Sequence, residues 1–289
     1  MGDNNIQRLI LIVQIAAVFL FLGRGWQHLF WDAPFRALFW DENWMDSIIE
    51  TFFNTPWEDY ITNRENDIRL QNFIKGIGVF YILCAFMAVF IKKWKKIAGV
   101  FMILGAASLF FLAALYCKER FFSVGQFFEF SIQFSTPVLL YMMVKKGEMT
   151  QKMILFLKII IALTFICHGL YAINYYPQPG IFMDMILNIL GISESNAVSF
   201  LTMAGVLDFV IGIGIFLPFR YSKYVLIYAI LWAFATTIAR VWANLYFDFF
   251  WESLHQCWFE AAYRVPHFLI PLVLFLYYKK TNSQQMAGS

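Results

Sequence analysis

Long apolar stretches, broken by short charged or Pro/Gly-containing segments, dominate the chain, and their lengths carry the first inference. Crossing roughly 30 Å of hydrocarbon takes about 20 helical residues. Eight stretches approach that length: Leu9–Leu29, Phe73–Ile91, Ile97–Tyr116, Phe127–Val144, Met153–Ile173, Ala197–Phe219, Tyr224–Phe247 and Ala261–Tyr278. They are apolar on every side, as helices that face both lipid and protein must be, rather than striped like helices on a soluble core. The pattern predicts an all-α, polytopic membrane helix bundle. The first stretch lacks a small-residue cleavage site and carries Arg24, Gln27 and His28 at its far end, so it reads as a retained helix. Residues 281–289 read as a disordered tail.

Alignment of the chain with itself divides the bundle in two. The segment from Gly78 to Ile103 lies without gaps over that from Gly205 to Ile230, and Lys93-Trp94-x-Lys96 falls on Arg220-Tyr221-x-Lys223. Phe127-Phe128-Glu129-x-x-x-Gln133 likewise falls on Trp258-Phe259-Glu260-x-x-x-Arg264, and Arg24-Gly25 on His168-Gly169. Four helices per half is an even number, so both halves enter the membrane in the same sense, as parallel repeats about an axis near the membrane normal. The halves are residues 1–147 and 148–280, and an interface between them is a natural place for a site.

Charge gives the orientation, because Lys and Arg resist translocation. Arg8, Lys92 to Lys96, Lys145, Lys146, Lys152, Arg220, Lys223, Lys279 and Lys280 fall on one side, which makes both termini cytoplasmic; Lys118 and Arg120 are the exceptions opposite. The other face carries the long segment 30–72, rich in Asp and Glu and interleaved with aromatics. Two readings of it are open: a lid over the bundle, or an aromatic belt in the membrane interface.

Composition agrees and narrows the function classes. Of 289 residues, 61% are hydrophobic and only 14% charged, which sets aside a soluble domain, and the cations form scattered turns rather than the patch that nucleic acid needs. No G-x-S-x-G elbow, Walker A run or dinucleotide loop occurs, and Gly212-x-Gly214 lies inside an apolar helix where packing explains it. Cys84, Cys117, Cys167 and Cys257 form no C-x-x-C pair, though Cys117 and Cys257 occupy corresponding segments, leaving a disulfide or free thiols open.

Phe165-x-x-His168-Gly169 and Ala204-Gly205-Val206-Leu207-Asp208-x-x-x-Gly212 carry a resemblance to the DoxX-like family of bacterial integral membrane proteins, over roughly residues 153–245. The first half is less similar, with Arg24-Gly25 for His-Gly and Tyr81 where Asp208 stands. The resemblance implies the bacterial cytoplasmic membrane and a membrane subunit of a redox or quinone-linked system, or a partner of exported enzymes.

Ionisable groups on membrane helices are costly and are functional candidates by default. Arg240, Asn244, Asp248 and Glu252 recur every four residues with His255 three further on, one helical face if the seventh helix continues. The eighth opens with Glu260, Arg264 and His267, against Glu129 and Gln133 in the first half, while Arg24, His28 and His168 end their helices on the same side. Three readings are open. One is an ion-pair network, with Arg24, Arg240 and Arg264 neutralised by Asp248, Glu252 and Glu260. Another is a pocket for a polar or quinone-like head group, with guanidinium forks holding oxygens and histidine moving protons. The third is a metal or haem site, for which no two histidines have ligand spacing. A transporter and a non-catalytic partner docking an exported or membrane protein on the acidic loop are further alternatives; whether the chain is an enzyme is left open. Asp208, mid-helix, needs a partner or a proton.

Overall fold

In hydrocarbon no water is present to satisfy free N–H and C=O groups, so each apolar run closes its own hydrogen bonds as a helix. The computed structural model describes residues 3–288, and among them no strand occurs. The helices are α1 (Asp3–Phe30), α2 (Arg36–Phe39), α3 (Glu42–Phe53), α4 (Trp57–Thr62), α5 (Arg64–Val89), α6 (Lys95–Glu119), α7 (Val124–Glu129), α8 (Ser131–Lys146), α9 (Gln151–Ala172), α10 (Gly180–Leu190), α11 (Glu194–Gly214), α12 (Phe219–Trp242) and α13 (Phe250–Gly288), with a 3-10 turn at Phe247–Phe249. Among the described residues eight spans are long and apolar enough to cross a membrane: α1, α5, α6, α7 with α8, α9, α11, α12 and the stretch Phe247–Asn282. The protein is a polytopic helical membrane bundle.

Four boundaries differ from the sequence reading. Helix α12 stops at Trp242, not Phe247, and the 3-10 turn then reverses the chain, so the last span begins well before Ala261. Helix α5 starts at Arg64, ahead of its apolar stretch, where the Asn63 side chain caps the Glu65 N–H. Residues 281–288 continue α13 as helix where a disordered tail was expected, and Ser289 lies outside the described residues.

Packing within the two halves corresponds helix by helix. Helix α1 packs on α5 and α8, α5 on α6 and α6 on α8; likewise α9 packs on α11 and α13, α11 on α12 and α12 on α13. Between halves, α1 meets α13, α7 meets α9, and α8 touches both α9 and α13. The close approaches correspond too. A Cβ on Gly78 would lie 3.1 Å from the Gly25 carbonyl oxygen, and one on Gly205 would lie 2.9 Å from that of Gly169. These are the glycines that the self-alignment sets opposite one another, each letting two helices touch backbone to backbone.

One end of the bundle carries the short helices. Here α2 and α4 pack on the first half, against α6 and α5, and α10 packs on the second, against α11 and α12. Phe35 and Ile49 are buried, while Arg36 ties the segment down through Asp32 at 2.5 Å, Asp67 at 2.8 Å and Gln71 at 3.0 Å. Lys118, an exception to the charge alternation, pairs with Asp41 on this end. That ammonium holds the Asp41 carboxyl below the usual carboxylate range, chiefly by direct hydrogen bonding.

Candidate functional site

The second half builds its polar site where α7 of the first half reaches α9. Glu129 ends α7, and its Oε1 receives Arg264 Nη2 of α13 at 3.4 Å and faces His168 Nδ1 of α9 at the same distance. Arg240, near the end of α12, donates to Glu260 Oε2 at 3.0 Å. His267 lies one turn below Arg264, its Nδ1 3.1 Å from the Arg264 carbonyl oxygen and its ring 6.0 Å from that of His168. Pro266 lacks the N–H that a helix would direct back at Ala262 O, so the backbone is loosened beside these groups. Arg240 and His267 are 6% and 4% exposed, which places full or latent charges in a poorly solvated region.

His168, Arg240, Arg264 and His267 border a cavity of about 390 Å³ lined by α9, α10, α11, α12 and α13. That size falls within the range of small-molecule sites, and most of such a site is normally apolar with a few directed polar groups. Phe165, Met185, Ile186, Leu201 and Trp232 supply apolar wall. His168, Arg240, Arg264 and His267 supply the polar part, with Asp208 of α11 as a separate carboxyl. Asp208 is 5% exposed, and among the described residues its Oδ1 has no hydrogen-bond partner and the buried Nε of Arg264 has none either. Leu190, Ile238 and Trp242 line the cavity yet are 49%, 47% and 59% exposed, so its mouth opens sideways on the surface between α10 and α12. Chemically the cavity offers guanidinium donors for oxygen atoms, two imidazoles able to carry protons, a carboxyl, and an apolar route outward.

Arg24 belongs to a different neighbourhood. It is 1% exposed, and its donors go to neutral oxygens: Nε and Nη2 to Gln133 Oε1 at 3.1 and 2.7 Å, and Nη1 to Gln27 Oε1 at 2.7 Å. Its guanidinium lies 3.9 Å from the Tyr263 ring centroid, on α13 between the halves. His28, on the next turn of α1, is fully buried, bonds the Arg24 carbonyl oxygen through Nδ1 at 2.7 Å and packs edge-on to Tyr81.

The twelve residues singled out from sequence therefore do not share one site. Glu129, His168, Arg240, Glu260, Arg264 and His267 come together around the cavity's polar part. Arg24 and His28 lie in the first half. Asn244, Asp248, Glu252 and His255 do not form one helical face, because α12 ends at Trp242 and the turn at Phe247–Phe249 redirects the chain. His255 instead packs against Trp26, Phe30 and Trp31, and Asn244 Nδ2 donates to Arg240 O at 2.9 Å. Of the arginine neutralisation read from the sequence, Glu260 does pair with Arg240 and the rest is corrected. Among the described residues Asp248 and Glu252 form no ion pair, Arg24 pairs with no carboxylate, and Glu129 takes Arg264.

Helix α10 was missed, although its apolar positions Phe182, Met185, Ile186 and Ile189 at helical spacing, with Pro179 before and Gly191 after, are helix signals. All four cysteines are free thiols, Cys117 donating to the Ser123 carbonyl oxygen at 3.4 Å. Among the described residues no three His, Cys, Asp or Glu side chains converge as a metal site. No family profile, curated protein or solved structure matches the chain at a significant level.

Proposed function

We propose that this protein is a DoxX-like membrane subunit of a redox or quinone-linked system, which takes a lipid-like molecule with a polar, oxygen-bearing head into the cavity of its second half. The carrying observation is that cavity: apolar wall, a sideways mouth, and His168, Arg240, Arg264 and His267 at one part. A molecule in the bilayer would enter without crossing water, its head meeting the arginines while its tail stays in an apolar setting. The positive-inside rule adds the orientation: the end with α10 and the acidic segment faces outward, the termini face the cytoplasm, and the site opens to the outer leaflet of a bacterial cytoplasmic membrane. The helix-by-helix packing correspondence and the matching glycine contacts support an origin as two parallel four-helix repeats, of which the second has kept the open cavity.

The test is direct binding. Purified protein in neutral-lipid nanodiscs is titrated with a short-tailed quinone while tryptophan fluorescence is followed, since Trp232 lines the cavity. Saturable quenching that is lost when Trp232 is replaced by Phe supports the reading. Titration without saturation, together with no effect on membrane electron transfer when the protein is deleted, refutes it.

A second reading is favoured by α3, where Trp44, Ile48 and Phe52 recur every four residues and are 53%, 43% and 77% exposed, beside Glu42, Asp46 and Glu50. In that reading the protein holds an exported partner on this amphipathic helix. Removal of Trp40 to Phe53 then abolishes a complex captured from membranes while the eight spans stay folded.

A further inference from the structure

We infer that the head group taken by the second-half cavity is an oxyanion, a carboxylate or phosphate monoester carried on an alkyl chain. The inference rests on the reading that the cavity holds a lipid-like molecule, and it fixes that molecule's charge. Two arginines line the cavity, Arg240, 6% exposed, and Arg264, with an 11% exposed side chain, and a third, Arg24, 1% exposed, lies outside its lining at the junction of the halves. Among the described residues two carboxylates pair with them, Glu260 with Arg240 and Glu129 with Arg264. Arg24 lies behind Tyr263, the residue next to Arg264, and is held by glutamine oxygens and aromatic rings alone. Asp208 also lines the cavity, and among the described residues it forms no ion pair with any of the three.

A buried guanidinium without an anion carries a desolvation cost that amide oxygens offset only in part. A third anion brought into the cavity completes the set, and the cavity has the means to hold it. Arg264 Nε is buried with no acceptor, and Arg240 Nη1 alone is engaged by Glu260, leaving the rest of a planar fork for bidentate contact with carboxylate or phosphate oxygens. The neutral carbonyl of a quinone would accept hydrogen bonds but leave the surplus charge in place; a quinone meets the requirement only when reduced and deprotonated. The apolar wall and the mouth between α10 and α12 suit an alkyl chain running from that head into lipid.

The experiment uses the full chain in nanodiscs of phosphatidylcholine and compares three ligands of one chain length: hexadecanoate, hexadecyl phosphate and hexadecan-1-ol. The expected result is saturable binding of at least one oxyanion at least tenfold tighter than the alcohol. Preference for hexadecanoate over hexadecyl phosphate identifies a fatty carboxylate as the source, and the reverse identifies a lipid phosphate. Arg24→Gln, which leaves the cavity wall untouched, should reduce the oxyanion preference and leave alcohol binding unchanged, while Arg240→Lys should preserve part of the preference. Equal affinity for acid, phosphate and alcohol overturns the oxyanion inference while leaving the cavity reading intact. No saturable binding by any of the three overturns both.

Discussion

Glu129→Gln tests what joins the two halves at the site. Glu129 comes from α7, and while its Oε2 accepts from Gln126 of the same helix, its Oε1 faces Arg264 and His168 of the second half. At 3.4 Å a pair of unit charges attracts by about 5 kcal/mol at an effective dielectric of ~20, and part of that offsets the cost of taking both groups out of water. Removing one partner of such a buried pair leaves the other's desolvation uncompensated, typically about 3–5 kcal/mol. The side chains of Glu129 and Arg264 keep 12% and 11% of their surface, so the lower end, about 3 kcal/mol, is expected. At roughly 2 °C per kcal/mol for a chain of this size, the melting temperature should fall by roughly 6 °C. Thermal unfolding in mild detergent, followed by circular dichroism, reads the shift. Adding Arg264→Met to Glu129→Gln removes the stranded cation and should recover at least half of it. A single variant that melts with the parent protein, or a double variant less stable than the single, would refute the reasoning.

The other predictions concern different parts of the bundle. Gly205→Ala places a Cβ 2.9 Å from the Gly169 carbonyl oxygen, a backbone atom that cannot swing aside, and should cost roughly 1–3 kcal/mol as overpacking in the same melting assay. Because Lys118 lowers the pKa of Asp41 in the folded protein, the contact between Asp41, at the start of α3, and α6 is fully present above the ordinary aspartate value of 3.8 and is lost as pH falls through the lower folded value. The Trp44 ring lies 5.1 Å from the Lys118 ammonium, so its fluorescence should titrate below pH 3.8, and Lys118→Met should move that midpoint upward. Ala204→Phe, which puts a large ring into the cavity wall, should abolish ligand binding and leave circular dichroism unchanged. Since all four cysteines are free, thiol titration after unfolding should count four groups with or without prior reduction.

The spans were legible because their signal is length: lipid demands an unbroken apolar run, and no tertiary contact has to be known to count it. Some helix contacts were legible for a related reason. Gly25, Gly78, Gly169 and Gly205 sit where helices touch, so their spacing records packing directly. The site was harder to read. Its members were visible as costly charges, but their grouping depends on which helices face one another, and sequence spacing says nothing about that across α7, α9, α12 and α13. The polar run from Arg240 to His255 misled because a 3.6-residue period persists in the sequence through Ala243 and Phe247–Phe249, where the helix does not. Arg24 was expected to find an acid; instead glutamines and rings hold it, an arrangement that composition cannot foretell.

The central claim is that the second-half cavity holds a lipid-like molecule by its head. It is tested most directly by electron cryomicroscopy of the protein extracted with its own membrane in polymer nanodiscs. The account predicts elongated density with its head within hydrogen-bonding distance of Arg240 or Arg264 and its tail leaving between α10 and α12. A cavity closed by α10 and filled by its own side chains, with Arg240 and Arg264 fully engaged by protein groups, would contradict it.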